Sequence, residues 1–137
     1  MFSHICVGVT DFDRALAFYR PLMDVLGLPE RFCEPEHPWA AWESVPEPRP
    51  LFIIGHPVDG QPQHAGNGHM TAFQAATRAI VDAAHACALA HGGTDEGAPG
   101  PRPHYHAHYY GTYFRDPDGN KLCVVCHHPE AEQADPV

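Results

Sequence analysis

Basic residues are scarce in this chain. Eight Lys and Arg stand against 17 Asp and Glu in 137 residues, a formal charge of −9 with histidine neutral. So few cations leave no basic footprint for a phosphate backbone, which argues against nucleic acid as a partner. Long apolar runs are missing as well. No stretch reaches ~18 consecutive apolar residues, so no segment is expected to span a membrane. Met1 leads straight into a strand-like segment without a charged or apolar leader, so no secretory signal is expected. The five cysteines are odd in number and irregular in spacing. That is not the pattern of a disulfide framework, and a reduced, cytoplasmic chain is the expectation.

Aromatic residues and histidine are plentiful. Two Trp, seven Phe and five Tyr suit one globular domain, or two small modules sharing one core. Twelve histidines make metal or pH chemistry worth testing, and fix neither.

Phe2 to Thr10 reads as a strand. Ile5, Val7 and Val9 alternate with His4, Cys6 and Gly8, so period two puts His4 on the face opposite the aliphatic stripe. Asp11 is placed to cap a helix from about Phe12 to Leu26, with Ala15, Phe18, Tyr19, Leu22 and Leu26 on one stripe. Pro21 is expected to kink or interrupt it, and Gly27 to stop it. Short strands are expected near Arg31–Glu34 and Trp39–Ser44, then a firm strand at Leu51–Ile54. Residues 56–68, rich in Pro, Gly, Gln and Asn, read as a linker. The pattern then restarts. His69–Gln74 reads as a strand, and a helix follows from about Thr77 to His91, with Ile80, Ala84, Cys87 and His91 as its stripe. Asp95–Pro103 reads as a Gly/Pro loop, His104–Tyr110 as extended and Thr112–Arg115 as a strand. Residues 129–137 are acidic, lack apolar clusters and read as a flexible tail.

Between Tyr113-Phe114 and Leu122–Val125 lies Arg115-Asp116-Pro117-Asp118-Gly119-Asn120. Pro117 presets φ, Gly119 and Asn120 tolerate positive φ, and the Asp side chains bond local amides, so a tight hairpin is expected. Strand, helix, then strands occur twice, with start points at His4 and His69. This is an internal repeat in pattern.

That tandem pattern resembles the vicinal oxygen chelate superfamily, which includes glyoxalases, bleomycin-resistance proteins and extradiol dioxygenases. The resemblance covers residues 2–128 and is carried by His-Ile-Cys-Val-Gly-Val-Thr-Asp (4–11), Gly-Asn-Gly-His-Met-Thr-Ala-Phe (66–73), Gly-Ala-Pro-Gly-Pro-Arg-Pro-His-Tyr-His (97–106) and the 115–120 turn. It is strongest to an uncharacterised glyoxalase-like branch. It implies an α+β fold in which tandem βαβββ modules form a curled, mixed-sheet half-barrel around a central cleft. Module one would be 1–55 and module two 69–128, in a single domain 1–128. It also implies a divalent metal that chelates vicinal oxygens of a small substrate as a Lewis acid.

Carried over by motif, the metal ligands fall at His4, His69 and Cys123. The last is normally Glu in metal-binding relatives. Zinc suits a site with a thiolate, and iron, manganese or nickel would serve otherwise. Tyr109 or Tyr110 would supply acid/base chemistry, while Arg102, His104, Tyr105 and His106 would bind substrate. His104, His106 and His108 would project to one side of an extended segment, ~6.6 Å apart. Cys123-Val124-Val125-Cys126-His127 matches the c-type haem attachment string, but in a strand the two sulfurs face opposite ways, and neither haem nor a nucleotide cofactor is expected. The main functional expectation is a metal-dependent lyase, isomerase or dioxygenase. The alternative is a non-catalytic, antibiotic-type binding protein. A small-molecule partner and a homodimer are expected in both cases.

Overall fold

The computed structural model describes residues 1–130. The elements run β1 (His4–Gly8), α1 (Phe12–Leu26), β2 (Glu30–Glu34), β3 (Trp39–Trp42), β4 (Leu51–Gly55), β5 (Thr71–Gln74), α2 (Arg78–Ala90), β6 (Thr94–Pro101), β7 (Tyr110–Arg115) and β8 (Lys121–Cys126). They form two four-stranded mixed sheets, ordered β1-β4-β3-β2 and β5-β8-β7-β6. In each, the first and last strands of the unit pair parallel and the other pairs are antiparallel. The architecture is α+β, with the βαβββ pattern used twice and no closure into a barrel. The acidic end of the chain read as a tail, 129–137, lies outside the described residues from 131 onward.

The second helix packs on the second sheet and against α1, and α1 meets both sheets through its aromatic side chains, Tyr19 against Trp42 and Phe52 and Phe18 against Phe114. One apolar core therefore draws on both units: Phe18, Tyr19, Leu22 and Met23 of α1, Trp42, Phe52 and Ile54 of the first sheet, Val81, Ala84 and Ala88 of α2, and Phe114, Leu122 and Val124 of the second. Phe52 and Phe73 meet edge-to-face across the units, 5.0 Å between centroids. The first helix has the bounds read from its caps. Asp11 accepts the Arg14 amide, and Gly27 ends it at φ 72°. It passes through Pro21 without a break. The missing amide proton costs one bond, and the buried stripe on either side holds the helix together.

Four expectations fail. The buried stripe of α2 is Val81, Ala84 and Ala88, one residue out of phase with the expected stripe on Ile80, Cys87 and His91. Alanine at 84 and 88 lets the helix approach α1 closely. Residues 94–101 are strand β6 and not a Gly/Pro loop. Register shifts at Asp95/Gly97 and Gly97/Gly100 absorb the glycines and prolines as irregularities. Residues 102–109 are turns and not an extended segment, so His104, His106 and His108 do not form an alternating row. Strand β5 starts at Thr71, two residues after His69.

The turn after β7 ties the units together. The Asp116 carboxylate is buried. It accepts the Asp118 and Asn120 amides at 2.9 Å each, the Asn120 side-chain amide at 2.9 Å and the Tyr19 hydroxyl of α1 at 2.5 Å. Burial raises its pKa, opposed by those donors. The folded value therefore lies above the unfolded one, and ionising Asp116 subtracts stability as pH rises from the ordinary Asp range through the raised value. Tyr19→Phe removes a donor to the carboxylate and is expected to cost about 1.5–3 kcal/mol near pH 7. The cost should shrink in acid, where the carboxyl is protonated. Urea unfolding at both pH values measures it, and equal costs would show that the bond does not depend on the charge.

Candidate functional site

The β7–β8 hairpin sets the site. Its register pairs Arg115 with Lys121, Tyr113 with Cys123 and Gly111 with Val125. Directly paired residues point to the same face. Phe114, Leu122, Val124 and Cys126 join the core, so Tyr113, Lys121 and Cys123 face away from the helices. A cleft of about 520 Å³ opens on that side. Its walls are Tyr105, Tyr109, Tyr113, Arg115, Lys121 and the 66–70 segment.

The turn segment 102–109 folds over this face. The Arg102 amide donates to the Tyr109 carbonyl at 2.9 Å, closing the loop. Tyr105 and Tyr109 pack with ring centroids 4.8 Å apart, and His104 lies 4.3 Å from Tyr105. Tyr109 can lie flat on β7 because residue 111 is glycine. A Cβ there would come within 2.8 Å of the Tyr109 ring. Its hydroxyl is 2.8 Å from the Tyr113 hydroxyl and 3.6 Å from the Cys123 sulfur. Burial pushes the pKa of Tyr109, Tyr113 and Cys123 upward. All three therefore hold their protons at neutral pH. His106 Nε2 and His127 Nδ1 are 2.9 Å apart, and His106 Nδ1 accepts the His108 amide. That geometry is satisfied by two neutral imidazoles, with His106 donating to His127. The contact latches the loop to the end of β8.

The structure thus gathers Arg102, His104, Tyr105, His106 and Tyr109 around one face, but not as expected in detail. The Arg102 guanidinium donates to the Ala98 and Gly100 carbonyls at 2.9 Å each and to Pro101 at 3.3 Å, and lies over Tyr113. It builds the wall. Tyr110 points the other way. Its hydroxyl donates to Asp82 of α2 at 2.7 Å, and Arg78 covers its ring. This corrects its expected place beside Tyr109 as an acid/base group. Consecutive residues of a strand face opposite sides, and Tyr110 is the first residue of β7. Sequence reasoning missed Tyr113, Lys121 and His127 as site residues. The signal was available for two of them. Once the 116–120 turn is fixed, counting outward pairs Tyr113 with Cys123 and puts Lys121 on the same face.

The ligand trio does not form a metal centre. Among the described residues, no three His, Cys, Asp or Glu side chains stand close enough together to hold an ion. His4 is exposed and bonds to its neighbour Ser3 at 2.9 Å. His69 is exposed, ahead of β5, with its ring against Gly66. Thr71 pairs with Leu122 and Ala72 with Cys123. The β5 residues that share the Cys123 face are therefore the even-numbered ones, Ala72 and Gln74, while Thr71 and Phe73 lie on the helix side with Leu122 and Val124. Cys123 itself is fully buried, and its raised pKa opposes the thiolate that a metal requires. The residues present do not fit the expected site.

Family comparison agrees with the fold. The model of the Glyoxalase/Bleomycin resistance protein/Dioxygenase superfamily matches residues 1–124. A glyoxalase/bleomycin resistance protein from Albidiferax ferrireducens T118 is 37% identical, with 94% of this chain and 99% of that one covered and a TM-score of 0.80. A lactoylglutathione lyase from Agrobacterium tumefaciens shares the fold at 24% identity, 92% coverage of each chain and a TM-score of 0.62. A glyoxalase-related enzyme from Fulvimarina pelagi does so at 17% identity and a TM-score of 0.69, covering 92% of this chain and 87% of that one. None of the curated proteins matches the chain. The chain belongs to the glyoxalase/bleomycin resistance protein/dioxygenase superfamily. Members generally depend on a divalent metal, bind small-molecule substrates and often form dimers. No helix among the described residues is long and apolar enough to cross a membrane.

Cys123 is expected to be alkylated by iodoacetamide at least ~100-fold more slowly than exposed Cys6, because it is both covered and protonated. Tyr109→Ala and Gly111→Ala should speed its modification while leaving Cys126, on the helix side, protected. Peptide mass spectrometry reads each site. Simultaneous exposure of Cys126 would mean that the variants unfold and not that Tyr109 covers the thiol.

Proposed function

We propose that this chain is a small-molecule binding protein that holds a planar aromatic ligand in the cleft of its second sheet. One observation carries this reading: the position expected to complete a metal centre is a buried thiol, roofed by a tyrosine whose hydroxyl touches it. Tyr105, Tyr109 and Tyr113 offer aromatic surface with hydroxyls attached, which suits an unsaturated ring with polar substituents. The cleft volume of about 520 Å³ is of the size that takes a small organic molecule.

The catalytic alternative asks Tyr109 to exchange a proton near neutral pH. Burial, followed by its bonds to Tyr113 and Cys123, moves its pKa upward and away from that task. A lyase, isomerase or dioxygenase reaction of the metal-dependent kind would also need a ligand set that the described residues do not bring together.

Homodimer formation is part of the proposal. The first sheet has an apolar recess of about 530 Å³, lined by Cys6, Trp39, Ile53 and Val58 among others. Trp39 and Val58 are both exposed. Light scattering is expected to give twice the 15.1 kDa chain mass, and the chain mass itself would remove this part.

Calorimetric titration with 1-naphthol, a neutral planar probe, is expected to show one saturable site per chain without added metal. Tyr105→Ala should weaken it about tenfold. Absence of saturable binding would overturn the reading. Cys123→Glu tests the alternative. The binding reading expects wild type and variant alike to retain below about 0.1 divalent ion per chain after purification without added metal. Stoichiometric uptake by the variant would instead show that the rest of a metal centre survives.

A further inference from the structure

We propose that Lys121 makes the tyrosine cleft selective for aromatic carboxylates over neutral aromatics. The inference deepens the proposed function and rests on it.

The sequence contains one lysine, Lys121. It is the first residue of β8 and lies on the cleft face two residues from Cys123. Its ammonium sits 5.6 Å from the centre of the Tyr113 ring. The other cations are mostly committed. Arg14, Arg20, Arg31, Arg78 and Arg115 pair with Asp118, Glu30, Glu43, Glu130 and Glu96. Arg102 is spent on backbone carbonyls. Among the described residues no carboxylate pairs with Lys121. In a chain where acidic residues outnumber basic ones 17 to 8, a cation left without an acid inside a cleft stands out. An ammonium over an aromatic face keeps its donors available to a ligand.

The hydroxyl chain supplies the second donor. Cys123, Tyr109 and Tyr113 are linked in series at 3.6 and 2.8 Å. If the thiol donates to Tyr109 and Tyr109 to Tyr113, the Tyr113 proton is left to face Tyr105 and the cleft. Three groups in a row have three protons and only two internal bonds, so the row has one spare donor, which a ligand in the cleft takes from the neighbouring Tyr105 hydroxyl. An anion at the Tyr113 end fixes the direction of the whole chain, since it accepts and cannot donate. A carboxylate takes one bond from this hydroxyl and one from Lys121, and its ring lies against Tyr105 and Tyr109. A carboxamide of the same shape loses the charge-assisted half of that interaction.

Calorimetric titration with benzoate and with benzamide, at low and high salt, separates the possibilities. Wild type is expected to bind benzoate about tenfold tighter than benzamide, with the preference falling as salt rises. Lys121→Met should abolish the preference, and Tyr113→Phe should reduce it. Unchanged thermal unfolding of Lys121→Met would show that the fold is intact. Equal affinity for the two probes in wild type overturns the anion selectivity and leaves the aromatic cleft standing. Binding of neither overturns the proposed function as well. Retained benzoate preference in Lys121→Met removes the role from this residue.

Discussion

One buried carboxylate holds this molecule in register. Asp116 sits in the turn between the last two strands and accepts four donors, one of them from the first helix. The bonds within the turn fix where β7 ends and β8 begins. The bond to Tyr19 fixes where that hairpin lies relative to the other half of the chain. Asn120 extends the junction. Its side-chain amide donates to the Gly8 carbonyl of β1 at 2.8 Å, and its oxygen accepts from Gln63 of the linker at 3.0 Å. Gly8 leaves room for this, since a Cβ there would lie 2.1 Å from the Gln63 oxygen. A buried carboxylate without such donors would be costly at neutral pH. With them it specifies a single arrangement of turn, helix and linker.

That constraint explains which parts of the fold were legible beforehand. Caps and turns are local, and the bounds of α1, its αL glycine and the 116–120 turn all follow from side chains that bond to nearby backbone. Strand β6 was not legible because Gly and Pro at 97–101 carry loop propensity. Pairing with β7 overrides it through two register shifts, and no local reading sees the partner strand. The phase of α2 was missed for a related reason. Four alanines in Ala83–Ala88 give no strong apolar contrast, so the periodicity is weak, and proximity to α1 decides which of them is buried.

The site divides along the same line. Tyr105, Tyr109 and the nearby histidines were expected to gather, and they do, but in a folded turn and not along a strand. A straight segment would have sent the histidines to one side at regular spacing. The turn instead stacks His104 on Tyr105 and locks His106 to His127, a residue 21 positions later that only the tertiary fold brings close. Tyr109 and Tyr110 are adjacent and chemically identical, yet one covers a thiol in the cleft and the other anchors β7 to α2. The strand begins at Tyr110, whose pairing with Cys126 turns it to the helix side, while Tyr109 belongs to the turn segment folded over the opposite face.

The same alternation bears on the metal question. Superfamily resemblance assigns ligands by motif, but ligation is a matter of faces. In β8, Cys123 lies on the cleft face whatever its identity, because Leu122 and Val124 are claimed by the core. In β5, the parallel pairing of Ala72 with Cys123 reserves the facing position for an alanine, and the histidine that the motif offers lies before the strand begins. His69 still borders the cleft, but ahead of the strand, and among the described residues no trio of ligands forms around it. The cleft keeps the shape that the fold dictates, and its chemistry passes to side chains other than a ligand trio: three tyrosines, a thiol that keeps its proton and one lysine.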